Sequence, residues 1–189
     1  MTKSILLVGV GGQGTILASK ILTLGLMEAG YDVKMSEIHG MSQRGGSVCS
    51  HVRYGNRVDS PVIEKGTADM IVAFEKMEAL RYLEYMKNDG ILVVNDQEIA
   101  SMSVLSGKEK YAADIIDELR QNRKCRVVDA AQMANELGNN KTANIILLGT
   151  IIKVMKLEQI QWNTILKNNM KPQFVEINQK AILKGMQAV

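Results

Sequence analysis

Short apolar runs alternate with longer segments of helical periodicity along most of the chain. The first run, residues 5–8, ends in clustered glycines, and apolar residues then recur every three or four positions as far as Met27, before Gly30. Runs of this kind are typical of buried strands, and the three-to-four spacing indicates an amphipathic helix. Strands and helices in alternation predict an α/β fold in which helices cover both faces of a mostly parallel sheet.

The pattern predicts six strands and seven helices. The predicted strands are residues 5–8, 32–37, 47–53, 69–74, 91–94 and 126–129. The predicted helices are residues 16–27, 75–87, 111–120, 130–137, 142–155, 158–167 and a last helix after Pro172. Residues 4–37 form a β-α-β unit, for which we expect a right-handed crossover and a parallel sheet. The C-terminal part is predicted to be helical.

Clustered glycines lie between the first predicted strand and the first predicted helix. Gly9, Gly11 and Gly14 have the spacing in which one glycine forms the turn, one lets a phosphate approach the backbone, and one lets helix and strand pack closely. Such a turn favours an anionic ligand because free N–H groups and the positive end of the helix dipole point into it. The sequence therefore predicts a Rossmann-like layered sheet with an anion site at its first turn.

A second glycine-rich segment, residues 38–46, follows the second predicted strand. It is too polar and too rich in glycine for a regular element, and it contains Arg44 directly before Gly45 and Gly46. In an open parallel sheet, the loops beyond the C-terminal ends of the strands line the ligand crevice, so both glycine loops are expected to face one cleft. The planar guanidinium of Arg44 matches phosphate or carboxylate groups.

Two other interpretations remain open at this point. Glu37 lies 23 positions after Gly14, where an acidic residue would hold the ribose of a bound dinucleotide, which favours a free-standing NAD(P)-dependent dehydrogenase. The second alternative is a non-catalytic nucleotide-binding module. Asn144 is polar within an apolar predicted helix, and either faces the cleft or caps a neighbouring segment.

The remaining reactive side chains are expected to be structural. His51 and Cys49 fall inside a strand pattern, and His39 has no cysteine or carboxylate at a recognisable spacing, which favours a hydrogen-bonded loop histidine. Cys49 and Cys125 lie far apart and are too few for an iron–sulfur cluster or a zinc site. We therefore expect neither a catalytic residue nor a metal site in this chain.

Composition limits the class of protein. The 189 residues are expected to form one domain, residues 1–189, and 46% hydrophobic and 23% charged residues are ordinary values for a globular protein. The net charge of +3 comes without the basic clusters and interleaved aromatics of a nucleic-acid binder. The sequence contains neither an apolar run long enough to span a bilayer nor a signal-peptide pattern, so we expect no membrane partner and a cytoplasmic location.

Several motifs together resemble the gamma-type domain of 2-oxoacid:ferredoxin oxidoreductases. They are GVGGQG at residues 9–14, SEIHGMSQRGGSV at 36–48, SPVI at 60–63, AD at 68–69, and Glu75 followed by ALRY at 79–82. The resemblance extends over nearly the whole chain and is densest over residues 4–95. The E-x-H-G-M-x-Q-R-G-G pattern favours the indolepyruvate, or arylpyruvate, branch of the family over the pyruvate and 2-oxoglutarate branches.

The resemblance implies a subunit of an enzyme that oxidatively decarboxylates a 2-oxoacid with coenzyme A and reduces ferredoxin. It also implies that thiamine diphosphate and iron–sulfur clusters belong mainly to partner polypeptides, with an alpha subunit as the direct partner. The gamma-type domain is implicated in bringing coenzyme A to the thiamine site. Carried over residue by residue, Gly11, Gly12, Gln13 and Gly14 are expected to donate backbone N–H groups to an anion, and Ser42, Gln43, Arg44 and Gly45 to form the second wall of the cleft.

Overall fold

A six-stranded sheet forms the centre of the molecule. The computed structural model describes residues 2–40, 46–100, 102–108 and 110–189. The strands are β1 (Lys3–Val10), β2 (Asp32–His39), β3 (Ser47–Gly55), β4 (Ala68–Ala73), β5 (Met86–Asn95) and β6 (Lys124–Val128). The helices are α1 (Thr15–Glu28), α2 (Lys76–Arg81), α3 (Met102–Leu105), α4 (Ile115–Asn122), α5 (Ala130–Glu136), α6 (Ala143–Val154), α7 (Trp162–Asn169) and α8 (Pro172–Gln187).

The strand order is β2-β3-β1-β4-β5-β6, with β3 antiparallel to its neighbours β1 and β2. The β1–β4, β4–β5 and β5–β6 pairs are parallel, which confirms the predicted mostly parallel α/β sheet. The first two strands do not pair directly, because β3 lies between them. Because β3 follows β2 after a short connection, the two form an antiparallel hairpin, and β3 then pairs with β1 from Lys3↔Tyr54 to Val10↔Ser47.

One predicted helix is too long. Helix α2 ends at Arg81, a 3₁₀ turn follows at Leu83–Tyr85, and β5 already begins at Met86, within the helix predicted over residues 75–87. Met86 is buried and pairs with Ala68, and the β4–β5 register shifts between Ala68 and Met70. Strand pairing therefore overrides the helical spacing of apolar residues, as tertiary contacts often override local propensity.

The sheet separates two hydrophobic clusters. Ile5 and Leu7 contribute to the cluster under α1, α5, α6, α7 and α8, whereas Leu6 and Val8 contribute to the cluster under α2 and α4. The continuous apolar run at the start of the chain is thus explained by a strand that is buried on both faces. The helices cover both faces, as predicted.

The C-terminal part is helical, and α6 is its most buried element. Residues 144–152 of α6 are all buried, and α8 packs closely against them. The close approach uses two glycines, because a Cβ on Gly185 would lie 1.9 Å from the carbonyl oxygen of Ile146, and one on Gly149 would lie 2.3 Å from that of Ile182. None of the described helices is long and apolar enough to cross a membrane.

Candidate functional site

The first glycine turn joins β1 to α1 as predicted. Gly12 and Gly14 have positive φ values of 104° and 79°, and Gly14 is the N-cap residue of α1. Side chains at such φ values are strained, so glycine suits both positions. The amino end of α1 therefore opens directly from this turn, and its first N–H groups have no acceptor within the helix.

The described ends of the second glycine loop lie beside this turn. The N–H of Gly11 donates to the carbonyl oxygen of Gly46 at 2.8 Å, and the N–H of Gly40 donates to that of Ser47, also at 2.8 Å. A cleft of about 580 Å³ separates the two segments. Its described lining is Gly11, Gly12, Gly14, Thr15, Ile16, His39, Gly40 and Val48. The other predicted wall residues, Ser42, Gln43, Arg44 and Gly45, lie outside the described residues.

The N–H groups of the first turn are not equivalent. The N–H of Gly11 is used by Gly46, and the N–H of Gln13 donates to the carbonyl oxygen of Val10 at 3.2 Å. Those of Gly12 and Gly14 have no hydrogen-bond partner in the described part of the chain. Gly12 and Gly14 are therefore the residues of this turn whose backbone suits an added anion.

The side chain of Gln13 connects the ends of several strands. Its Oε1 accepts from the N–H of Val10 at 2.8 Å, and its Nε2 donates to the carbonyl oxygen of Phe74 at 2.7 Å and to Gln97 Oε1 at 3.1 Å. Asn95, the last residue of β5, also donates to the carbonyl oxygen of Phe74, at 3.0 Å. These bonds occupy the Gln13 carboxamide, so this side chain stabilises the turn.

A second pocket of about 710 Å³ also borders the first turn. Its polar lining includes Asn95, Gln97, Lys141 and Asn144. Asn144 Nδ2 donates to the carbonyl oxygen of Gly14 at 3.2 Å, so Asn144 both lines this pocket and fixes the turn. Asn95 and Gln97 were not predicted from the sequence, because a single polar residue at the C-terminal end of a parallel strand is only a weak signal of a site.

Glu37, the residue that favoured the dinucleotide interpretation, is not positioned to hold a ribose at the first turn. Glu37 Oε1 accepts from Ser19 Oγ of α1 at 3.3 Å, and Glu37 is not among the described residues that line the cleft. Because β3 lies between β1 and β2, Glu37 is two strand spacings from β1, roughly 10 Å, instead of one. His39, at the end of β2, lines the cleft instead, and its Nε2 lies 3.8 Å from Glu37 Oε2.

A buried polar cluster lies on the α2 face of the sheet, beside the first residue of β3. Ser47 Oγ donates to Glu78 Oε2, and Arg81 donates to Glu78 Oε1 at 2.7 Å. Burial raises the pKa of the Glu78 carboxyl above its ordinary value, and it raises the pKa of the nearby Cys49 thiol to about 12. Cys49 is buried, and the raised pKa of its thiol disfavours the thiolate form that nucleophilic attack requires.

His51 is also structural. Its Nδ1 accepts from the N–H of Ile63 at 3.0 Å, and burial lowers the pKa of the imidazole. No group of three or more His, Cys, Asp or Glu side chains that could hold a metal ion occurs among the residues that the structure describes.

Comparison with known proteins agrees with this architecture. Residues 4–188 match the family described as pyruvate ferredoxin/flavodoxin oxidoreductase. The chain is 34% identical to indolepyruvate oxidoreductase subunit IorB of Thermococcus kodakarensis and 35% identical to that of Pyrococcus horikoshii, over 98% of this chain and 95% of each relative. The fold is similar to that of pyruvate oxidoreductase subunit PORC from Thermotoga maritima, with a TM-score of 0.73 and 24% identity over 99% of this chain and 96% of that one.

These matches cover nearly all of the chain and of each relative, so they concern the whole fold and not one motif. The chain belongs to the pyruvate ferredoxin/flavodoxin oxidoreductase family and is a subunit of a 2-oxoacid:ferredoxin oxidoreductase.

Proposed function

We propose that this chain shapes the active-site cleft of an indolepyruvate, or arylpyruvate, ferredoxin oxidoreductase and helps to bind coenzyme A there. The reaction is the oxidative decarboxylation of the 2-oxoacid to an acyl-CoA and carbon dioxide, with transfer of electrons to ferredoxin. The names of the archaeal relatives support the arylpyruvate substrate. The observation that carries the proposal is the Gly11–Gly46 hydrogen bond, which brings the flanks of two glycine-rich loops to one cleft.

The contribution of this chain is binding and orientation. The N–H groups of Gly12 and Gly14, with the amino end of α1, favour a phosphate group of the coenzyme. Arg44 adds a planar set of donors, with Ser42, Gln43 and Gly45 as its neighbours in the second wall. Fixing the coenzyme in this way converts its encounter with the acyl intermediate into an oriented reaction within one complex.

The cofactors that perform the redox chemistry belong to other polypeptides in this proposal. An iron–sulfur cluster of the usual kind is held by four cysteine thiolates, and this chain has only two cysteines. The resemblance to 2-oxoacid:ferredoxin oxidoreductases implies thiamine diphosphate as well, and we assign it together with the clusters to partner polypeptides, with the alpha subunit as the direct partner. Bound there, these cofactors would supply the chemistry of decarboxylation and electron transfer. The isolated chain is then expected to be colourless and inactive.

The test uses the complex co-expressed with its alpha subunit. Arg44→Ala should raise the apparent KM for coenzyme A by roughly tenfold or more, because a hydrogen bond to a charged group contributes roughly 1.5–3 kcal/mol. The KM for the 2-oxoacid should change little. Arg57→Ala is the matched control, since the Arg57 side chain is 84% exposed and pairs with Asp59 at 2.9 Å. Dye reduction with indolepyruvate, pyruvate and 2-oxoglutarate provides the rates.

Three results would contradict parts of the proposal. An unchanged KM for coenzyme A in the Arg44→Ala complex removes Arg44 from the site. A preference for pyruvate or 2-oxoglutarate overturns the assignment of the arylpyruvate branch. Tight binding of NAD by the isolated chain, weakened by Glu37→Ala, would instead support a free-standing dehydrogenase.

A further inference from the structure

A shallow apolar groove of about 300 Å³ lies on the helical layer that covers the α1 face of the sheet. Leu17, Met170 and Phe174 supply its apolar lining. Leu17 is 40% exposed and Phe174 is 41% exposed, although both belong to helices whose other faces are buried in the main core. These two partly exposed apolar side chains lie together in one groove instead of being scattered singly over the surface, so the groove offers a small apolar contact to a partner.

The rim of this groove is basic. Lys141 and Lys171 line it, and no aspartate or glutamate occurs among its described lining. Neither lysine forms an ion pair within the described part of the chain, whereas Lys153 and Lys180 are paired with Glu158 and Glu176. Lys171 is also the N-cap residue of the 16-residue helix α8, so the positive end of that helix dipole adds to the field.

The groove lies next to the coenzyme cleft. Leu17 directly follows Ile16, which lines the cleft between the two glycine loops. Lys141 lines both the groove and the second pocket that borders the first glycine turn. A polypeptide seated in the groove would therefore also reach the rim of the cleft.

We propose that this groove receives an acidic segment of the partner subunit, with an apolar side chain of that segment against Leu17 and Phe174 and its carboxylates at Lys141 and Lys171. The apolar contact supplies affinity, and the complementary charge supplies orientation and a faster encounter. The inference rests on the membership of this chain in a multi-subunit enzyme and is independent of the role in binding coenzyme A.

A second copy of this chain fits the groove less well. A two-fold interface uses the same patch on both subunits, so docking groove to groove would bring the two pairs of lysines together. Like charges in an interface oppose association, which favours a partner of opposite charge.

Phe174→Asp and Lys171→Glu test the groove in the co-expressed complex. Each should weaken the affinity between this chain and the partner subunit at least tenfold, measured by calorimetry or by dissociation of the purified complex on dilution. Leu183→Asp is the matched control, because Leu183 is 53% exposed on the same helix and lies nine positions from Phe174, which at about 100° per residue is the opposite face. This control should retain the affinity of the unsubstituted chain.

Salt provides a second readout. Raising the ionic strength should weaken the unsubstituted complex, and Lys171→Glu should lose that dependence in part. Thermal unfolding of each isolated variant verifies the fold, and Lys171→Glu, an exposed charge change, carries the test if Phe174→Asp fails to fold.

Several outcomes would overturn the inference. Unchanged affinity for the partner subunit in both groove variants would show that the groove is not part of the interface. An equal loss of affinity in a folded Leu183→Asp variant would show that the effect is not specific to the groove. Self-association of the isolated chain that Phe174→Asp abolishes would assign the groove to a second copy. In complexes of the groove variants that remain assembled, an unchanged KM for coenzyme A would show that this interface and the coenzyme site are distinct.

Discussion

The N–H of Gly11 donates to the carbonyl oxygen of Gly46 at 2.8 Å, and this bond connects the first glycine turn to the end of the second loop. It exists because β3 lies beside β1 in an antiparallel register that ends at Val10↔Ser47. Direct pairing of the two strands of the first β-α-β unit would have placed β2 there instead. The departure from that arrangement is therefore what brings the second loop to the first.

Gly14→Ala should destabilise the protein more than Gly12→Ala. Both residues have positive φ, so alanine costs each roughly 1–2 kcal/mol of backbone strain. A Cβ on Gly14 would also lie 2.5 Å from Asn144 Nδ2, whereas one on Gly12 would meet nothing within 4 Å. Overpacking at a tight site adds roughly 1–3 kcal/mol for Gly14→Ala alone. Urea unfolding of the two variants measures the difference.

The double variant Gly14→Ala with Asn144→Ala separates the two causes. Asn144→Ala alone loses the hydrogen bond to the carbonyl oxygen of Gly14, so it is the reference for the double variant. Relative to that reference, Gly14→Ala should cost only the strain at positive φ, because the steric contact with the carboxamide is gone. Equal free energies of unfolding for the Gly12→Ala and Gly14→Ala variants would contradict the proposed contact.

Gln13→Ala should lower the free energy of unfolding by roughly 1–3 kcal/mol, because it removes all three hydrogen bonds of the carboxamide in a partly buried site and leaves the N–H of Val10 without its acceptor, whereas Phe74 and Gln97 keep the bonds from Asn95. The three partners of the carboxamide are the N–H of Val10, the carbonyl oxygen of Phe74 and Gln97 Oε1. The exposed Gln173 is the control, and Gln173→Ala should change stability by less than about 0.5 kcal/mol. Similar effects for the two substitutions would show that Gln13 does not connect the strand ends.

Strand and helix types could be predicted wherever burial is periodic along the chain. The run at residues 5–8 is apolar because both faces of β1 are covered, and the helix predicted over residues 16–27 corresponds to α1, which ends at Glu28, two residues before Gly30 with its φ of 86°. Strand order could not be predicted in the same way, because pairing of β3 with β1 depends on a long-range register that local periodicity does not encode. For the same reason, the start of β5 at Met86 was predicted as the end of the helix over residues 75–87.

The candidate site was predictable in part. A glycine turn between a strand and a helix has a local signature, so Gly11, Gly12, Gln13 and Gly14 could be located from the sequence. The hydrogen bonds of their N–H groups and of the Gln13 carboxamide could not be predicted, because partners such as Gly46 and Phe74 are distant in sequence and only the fold brings them near. Asn95 and Gln97 were missed because single polar residues after strands have no distinctive spacing.

Glu78→Gln should change the pH dependence of stability. Burial raises the pKa of Glu78 in the folded protein above its ordinary value of 4.5. In this pH range the folded state binds the proton more tightly than the unfolded chain, so the contribution of Glu78 to stability is fully present below pH 4.5 and is lost as pH rises through the raised pKa. Glutamine has no such titration, and its amide oxygen still accepts a hydrogen bond from Ser47 Oγ. The free energy of unfolding of Glu78→Gln should therefore rise, relative to the unsubstituted chain, as pH increases from 4.5.

Glu176→Gln is the control of opposite sign for this experiment. The hydrogen bond from Lys180 lowers the pKa of Glu176, so the contribution of Glu176 is present above pH 4.5 and is lost as pH falls. Because Glu176 is exposed, solvent screens the pair and the effect should be small. Urea unfolding of both variants at a series of pH values gives the two difference curves. A flat difference curve for Glu78→Gln, or one that falls with increasing pH, would show that its ionisation is not opposed by burial beside the start of β3.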